Sequence, residues 1–306
     1  MTTKGQSTFN LELSDIVEEA FERAGLELRT GYDLRTARRS INLMTIEWAN
    51  RGINLWTIEQ GQITMQTGQP IYPLPVDTID LLDTVVRTNS TTTNQIDINI
   101  TRISESTYIT IPNKLTQGRP IQVWINRQSG QENPTTVTLA GNIAATDTTI
   151  TLSSTYNLAT TGFIKIGAET IGYANVNGNQ LVNCYRGQAN TTATAHLNGA
   201  AITVQNLPSI NVWPSPNAPG DQYTFVYYRL RRVQDAGDGI NTQDIPFRFL
   251  PCMVAGLAYF IAMKKPEVDG QRVLALKAAY DEQFQLAADE DREKAPARYV
   301  PRQLFY

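Results

Sequence analysis

Histidine is the side chain most often used to move protons or hold metals near neutral pH. This 306-residue chain has one, His196. That excludes His-pair metal sites and argues against Ser-His-Asp or Cys-His catalysis. His196 lies in a threonine-rich stretch, where it reads as a local hydrogen-bonding group in a turn. The two cysteines, Cys184 and Cys252, lie far apart in different kinds of sequence, so no disulfide framework follows. Cys252 sits among Met253, Val254 and Leu257 and reads as a small core residue. Cys184 precedes Tyr185-Arg186-Gly187, with no base near it in sequence.

Other chemistry is equally thin. Gly25, Gly31, Gly61 and Gly68 are isolated and read as caps and turns, not as a phosphate cradle. The run Asp235-Ala-Gly-Asp-Gly239 lacks the alternating oxygen ligands and closing Glu of a calcium loop, so it reads as a turn. Paired carboxylates could support glycoside hydrolysis. The acids here cluster on helical stretches (Glu18, Glu19, Glu282, Asp289, Glu290), where a solvated helix face accounts for them. Trp48, Trp56, Trp124 and Trp213 do not group as a sugar platform, and Trp124 and Trp213 are expected to pack within one hairpin. No catalytic residue, metal site or cofactor is expected, and the chain is read as a structural protein, not an enzyme.

Charged residues make up 18% of the chain, below the usual quarter, and the net charge is −3. Thr, Asn, Gln and Ser fill the gap, which suits short β-strands joined by polar turns. No basic excess is available to grip nucleic acid along its length. Contact with DNA as a channel wall stays possible. The start, MTTKGQSTFN, lacks the apolar core of a signal peptide. The longest apolar stretch, Leu250 to Met263, is shorter than the about 20 residues a membrane helix needs. Synthesis in a reducing cytoplasm, and no membrane partner, are therefore expected.

The fold class expected is α+β. Ser14 is placed as the cap of a first helix with Ile16, Val17, Ala20, Phe21 and Ala24 on its apolar face and Gly25 at its end. A second helix is expected from Asp33 to Gly52, with Leu34, Ala37, Ile41, Met44 and Trp48 on one stripe. From Gly61 the period changes to two, and strands are expected at 71–74, 82–87, 96–100, 121–127, 210–213 and 223–233. Ser104 caps a short helix through Tyr108, although 108–111 also fits a strand. An apolar helix is expected over 247–263, with Pro251 in its first turns and Lys264-Lys265-Pro266 ending it. A last helix is expected from about Gly270 to Arg292, with Val273, Leu276, Tyr280, Phe284 and Ala287 inward. Its acidic end, 289–291, opposes the helix dipole, which calls for a basic partner such as Arg292 or Lys294.

Between the strands at 121–127 and 210–213 the texture changes. Residues 133–206 are rich in Thr, Ala, Asn and Gly and nearly free of charge. They read as a small all-β module inserted in the tip of a hairpin, where the two ends of an insertion lie close. Asn177-Gly178 signals a hairpin of type I′, which needs positive φ at both central residues. The expected division is a host domain of 1–132 and 207–295, comprising N- and C-terminal helices in a bundle plus an antiparallel β domain. The module of 133–206 and an extended arm of 296–306 complete it. The arm alternates basic and large apolar residues around Pro301, and its Tyr299, Val300, Leu304, Phe305 and Tyr306 call for a surface to lie on.

Two groups of motifs carry a resemblance. Tyr227-Tyr-Arg-Leu-Arg-Arg-Val-Gln-Asp-Ala-Gly237 and Pro246-Phe-Arg-Phe-Leu-Pro-Cys-Met-Val-Ala-Gly-Leu-Ala-Tyr259 form the first, with Ala288-Asp-Glu-Asp-Arg-Glu-Lys-Ala295 and Arg298-Tyr-Val-Pro-Arg302. Ile111-Pro-Asn-Lys114, Gly118-Arg-Pro120 and Val212-Trp-Pro214 extend it. Together they resemble the head-to-tail adaptor proteins of short-tailed bacteriophages, over about 10–132 and 207–302. The second group is Phe163-Ile-Lys-Ile-Gly167, Glu169-Thr-Ile-Gly-Tyr173 and Cys184-Tyr-Arg-Gly-Gln188, then Thr191 and His196. It resembles a small β-module found in phage tail proteins, which many adaptors lack.

The first resemblance implies a virion structural protein of the phage neck. Its subunits would form a homo-oligomeric ring, a dodecamer, under the portal protein. The tail nozzle protein would attach below, and DNA would pass through the lumen. It also implies that the C-terminal arm reaches the portal, through Arg298, Tyr299, Val300, Arg302, Leu304, Phe305 and Tyr306. The alternatives are another tail component, a nozzle or fibre-attachment subunit, or a glycan-binding tail protein with 133–206 as the binding module.

Overall fold

The computed structural model describes residues 10–29, 31–90, 92–218, 222–238 and 240–292. Helices and sheets are both present in quantity, so the fold class is α+β. The helices are α1 (Leu13–Ala24), α2 (Gly31–Asn50), α3 (Glu105–Ile109), α4 (Leu250–Ala262) and α5 (Gly270–Glu290). The strands up to the second hairpin partner are β1 (Ile58–Thr64), β2 (Ile71–Pro73), β3 (Thr78–Thr88), β4 (Ile96–Asn99), β5 (Thr101–Arg102), β6 (Gln117–Gly118) and β7 (Gln122–Asn126). Then follow β8 (Gln131–Thr138), β9 (Thr149–Thr151), β10 (Gly162–Ile166), β11 (Glu169–Asn177), β12 (Gln180–Gln188) and β13 (Ala201–Asn206). The last are β14 (Ser209–Trp213), β15 (Ser215–Pro216) and β16 (Tyr223–Arg231).

The chain divides into two compact units, 1–57 with 233–306, and 58–232. This differs from the division suggested by composition. The terminal helices cluster by themselves, and the host strands cluster with the inserted module. Contacts group elements by shared core, whereas composition only marks a change of texture along the chain.

In the first unit α4 is the central element. Ten of its residues are buried, and α1, α2 and α5 all pack on it. Mean apolarity around the whole circumference marks a helix with no solvent face. Pro251 sits in the first turn, where its missing N–H removes no helical bond. Gly256 permits the close approach of neighbours: a Cβ there would lie 2.4 Å from Met44 Sδ and 2.7 Å from the Tyr280 ring. The α1 face is the expected one, with Leu13 added. Its cap is Glu12, not Ser14, and the Glu12 N–H donates to Asp15 Oδ2 at 3.3 Å. Trp48 Nε1 donates to Tyr280 Oη at 2.9 Å, joining α2 to α5 inside the core. After α4, Lys264 donates to Ser40 Oγ at 2.7 Å and Lys265 pairs with Asp33 at 2.9 Å.

The second unit has two four-stranded host sheets, a two-stranded parallel sheet β15-β6 and one inserted sheet. The host sheets run β1-β16-β3-β4 and β2-β14-β7-β5, and Phe225, Val86, Val123, Ile210 and Val212 belong to one core between their strands. β14 pairs antiparallel with β7, and the chain between them makes the six-stranded sheet β8-β13-β10-β11-β12-β9 with its own core. Tyr185 Oη donates to Gly68 O at 2.7 Å, and Gln69 Nε2 to Gln188 Oε1 at 2.9 Å, tying this sheet to the host strands. Ser104 caps α3 by accepting from Thr107 N at 3.2 Å, so the helical alternative is the one adopted there. The hairpin β11–β12 turns at Gly178-Asn179, one residue later than expected, because Asn177 pairs with Gln180. Of these two only Gly178 has positive φ, +57°, which is the type II′ pattern and not I′.

Candidate assembly surfaces and the buried polar network

The seven arm residues expected to meet the portal, Arg298, Tyr299, Val300, Arg302, Leu304, Phe305 and Tyr306, lie outside the described residues. Exposed large apolar residues occur on both units, and on α2 and α5 of the first unit they fall along helix faces. α5 has 21 residues, and only Tyr280 and Ala287 are buried. Val273, Leu276 and Phe284 are half-buried on the same inward face, as its spacing predicts. The outward face is mixed, not wholly polar. It carries Leu274 at 69% exposure and Leu286 at 56%, aligned with Ala278 and Glu282 at steps of four. Lys277 and Asp281, one of each sign, flank this stripe.

α2 has a comparable outward stripe of opposite charge. Arg35, Arg39, Leu43 and Ile46 follow at steps of four, four and three and are all exposed. Leu43 is 53% and Ile46 52% exposed. Apolar residues on the outer faces of two helices have no role in the core of the unit. They are candidates for burial against another chain.

The acidic end of α5 is accommodated. Asp291 is buried and turns its carboxylate onto Asn54 N at 2.8 Å and Leu55 N at 3.3 Å. Asp289 pairs with Arg292 at 2.7 Å, the basic partner expected from the sequence. Asp291 thus serves as an acceptor for a neighbouring turn, a role sequence spacing could not show.

The single histidine belongs to a buried network, larger than a local turn. Glu169 opens β11, and its side chain is fully buried. Arg186 on β12 meets it with two parallel bonds of 2.8 Å, Nε to Oε1 and Nη2 to Oε2. Gly187 N and Thr194 N each donate to the carboxylate at 3.1 Å. His196 Nε2 lies 2.7 Å from Oε2. A carboxylate can only accept, so the ring proton sits on Nε2. Arg186 also donates to Ala144 O and to Thr194 O, the second at 2.6 Å. Gly187 has φ +60°, and a Cβ there would lie 2.9 Å from Thr191 O, so the turn that brings its N–H to the carboxylate requires glycine.

Burial would raise the Glu169 carboxyl. The guanidinium, the two N–H groups and the imidazole outweigh it and hold the carboxyl down, at about 2. With five donors on two oxygens, the carboxylate has no lone pair left for a substrate. Glu169, Arg186 and Gly187 come from the Glu-Thr-Ile-Gly-Tyr and Cys-Tyr-Arg-Gly-Gln motifs, His196 follows them, and their shared role is to lock the module. Sequence reading missed the Glu169–Arg186 pair. The available signal was one acid at the head of an otherwise apolar strand.

Burial pushes the thiols of Cys184 and Cys252 up to about 12, so both stay protonated and unreactive. Trp124 stacks on Tyr108 of α3 at 5.2 Å, and Trp213 Nε1 donates to Asn113 O at 3.0 Å. The 235–238 stretch is anchored to α2, with Ala236 N donating to Asn42 Oδ1 at 2.8 Å. Among the described residues no three His, Cys, Asp or Glu side chains converge as a metal-binding group, and no helix is long and apolar enough to cross a membrane. No protein-family model matches the chain, and no curated protein matches its sequence.

Proposed function

We propose that this protein is a head-to-tail adaptor of a short-tailed bacteriophage, forming a ring between portal and tail nozzle. The observation that carries this reading is the pair of unlike helix faces on the first unit. A closed head-to-tail ring requires two different patches per subunit. The α2 stripe is apolar and basic (Arg35, Arg39, Leu43, Ile46), and the α5 stripe is apolar and acidic (Leu274, Ala278, Glu282, Leu286). The two are complementary, so the occupant of each is the other face on a second copy of this chain. The terminal helices form the bundle that makes the ring body, and a ring of twelve follows from the motif resemblance. A chain of net charge −3 suits a lumen that lets DNA pass without holding it.

The arm of 296–306 reaches the portal in this reading, with Arg298 and Arg302 as charge partners and Tyr299, Val300, Leu304, Phe305 and Tyr306 as apolar anchors. Deleting 296–306 is expected to abolish portal attachment and leave the melting temperature of the rest unchanged. Pull-down with purified portal checks this, and undiminished capture of the truncated protein refutes it. The particle itself gives the broader test. Cryo-EM of the phage neck should show this fold as a ring directly beneath the portal. Density further down the tail, or only at its periphery, would instead make the chain a nozzle or fibre-attachment subunit.

A further inference from the structure

The second unit contains a cavity that the assembly reading does not use. Its volume is about 360 Å³, within the roughly 300–1,000 Å³ of small-molecule sites. One wall is a face of the sheet β2-β14-β7-β5. The register sets Asn211 beside Trp124 and Ser209 beside Asn126, so these four side chains stand on one face of that sheet. A second wall comes from the inserted sheet, through Phe163, Tyr173 and Gln205.

Two groups in the first wall are out of place on a purely structural surface. Ser209 is 1% exposed and Asn211 is 2% exposed. Ser209 Oγ and Asn211 Nδ2 nonetheless have no hydrogen-bond partner in the protein. Both residues line the cavity. Buried polar groups left unpaired cost stability, and a fold keeps them where something else completes their bonds.

We propose that this cavity binds an uncharged sugar ring as part of an oligosaccharide. The orphan groups are a hydroxyl and an amide, which match neutral hydroxyls and offer nothing to balance a ligand charge. The only charged lining residues are Glu105 and Lys114, one of each sign. Lys114 Nζ already donates to Ile109 O and Ile111 O at 3.2 and 3.0 Å. The indole of Trp124, braced by Tyr108, supplies the flat apolar surface that the C–H face of a sugar needs. An adjoining cavity of about 620 Å³ shares Glu105, Trp124, Asn126 and Gln128 with the first, so the ligand can continue past Trp124 as a chain. Arg102 and Arg127 line this second cavity, and both are already paired with Asp80, at 2.9 and 3.0 Å. The inference is independent of the ring, because every residue it uses lies in the second unit.

The test titrates the full-length protein with neutral mono- to tetrasaccharides built from glucose, galactose, mannose, rhamnose and N-acetylglucosamine, and with AMP as a control. Saturation-transfer NMR reports binding, and tryptophan emission reports contact with Trp124. At least one saccharide is expected to bind, with a change in emission that Trp124→Phe removes. Ser209→Ala and Asn211→Ala should each weaken it about fivefold or more. Both variants should melt at or above the wild-type temperature, since neither loses a bond in the free protein. No saccharide binding at millimolar concentration, equal affinity in both alanine variants, or binding of AMP alone would overturn the proposal.

Discussion

Replacing Glu169 by Gln tests whether the motif residues of the inserted module are a lock. The substitution keeps shape and removes charge. Five donors converge on the carboxylate, from Arg186 (two), Gly187, Thr194 and His196. A glutamine offers one acceptor oxygen and turns an NH₂ group toward donors on the other side. It also leaves the Arg186 guanidinium, whose side chain is 7% exposed, without a counter-charge. Removing one partner of a buried pair costs about 3–5 kcal/mol. The carboxyl itself gives a consistent figure. It moves from its ordinary 4.5 down to about 2 on folding, and a displacement of that size is worth about 3 kcal/mol.

The sign follows from the depressed value. The stabilisation is fully present above pH 4.5 and is lost as pH falls from there toward 2. Hydrogen exchange with mass spectrometry reads the effect locally. Amides of 131–206 should lose about a hundredfold in protection in Glu169→Gln at neutral pH, because about 1.4 kcal/mol corresponds to a factor of ten. The wild type should lose that protection progressively as pH falls from 4.5 toward 2, whereas the variant should show little further change over that range. Protection within about twofold of wild type, or an unchanged acid dependence in the variant, would refute the argument.

Two further perturbations address the first unit. Gly256→Ala should destabilise it by about 1–3 kcal/mol by thermal melting, because the added methyl collides with Met44 and Tyr280 at the crossing of α4 with its neighbours. Leu274→Glu, on the exposed face of α5, should leave that melting transition in place and shift sedimentation from ring to monomer. A ring of unchanged mass would exclude this face from the interface.

Much of the helical unit was legible from local rules. The apolar stripes of α1 and α2, Pro251 in the first turn of α4 and the inward face of α5 all follow from spacing and caps, which act within a few residues. Boundaries were less secure. The cap of α1 passed to Glu12, and the β11–β12 turn moved one residue, because strand pairing on both sides sets the register of a two-residue loop. The two-residue strands β5, β6 and β15 carry no periodicity and could not be seen.

The sequence by itself determined the helices and the longer strands and, through the scarcity of histidine and the isolation of its cysteines, which chemistries are hard to assemble. Tertiary structure alone decided what faces what. Glu169, Arg186 and His196 lie far apart in sequence, yet they converge because β11 and β12 pair and the following loop folds back. Ser209 and Asn211 alternate in one strand like any half-buried polar pair. Only the register with β7 and the approach of the inserted sheet bury them without partners. Periodicity reports the inward face of an element, while the neighbour that covers that face, or leaves its opposite bare, depends on contacts across long stretches of chain.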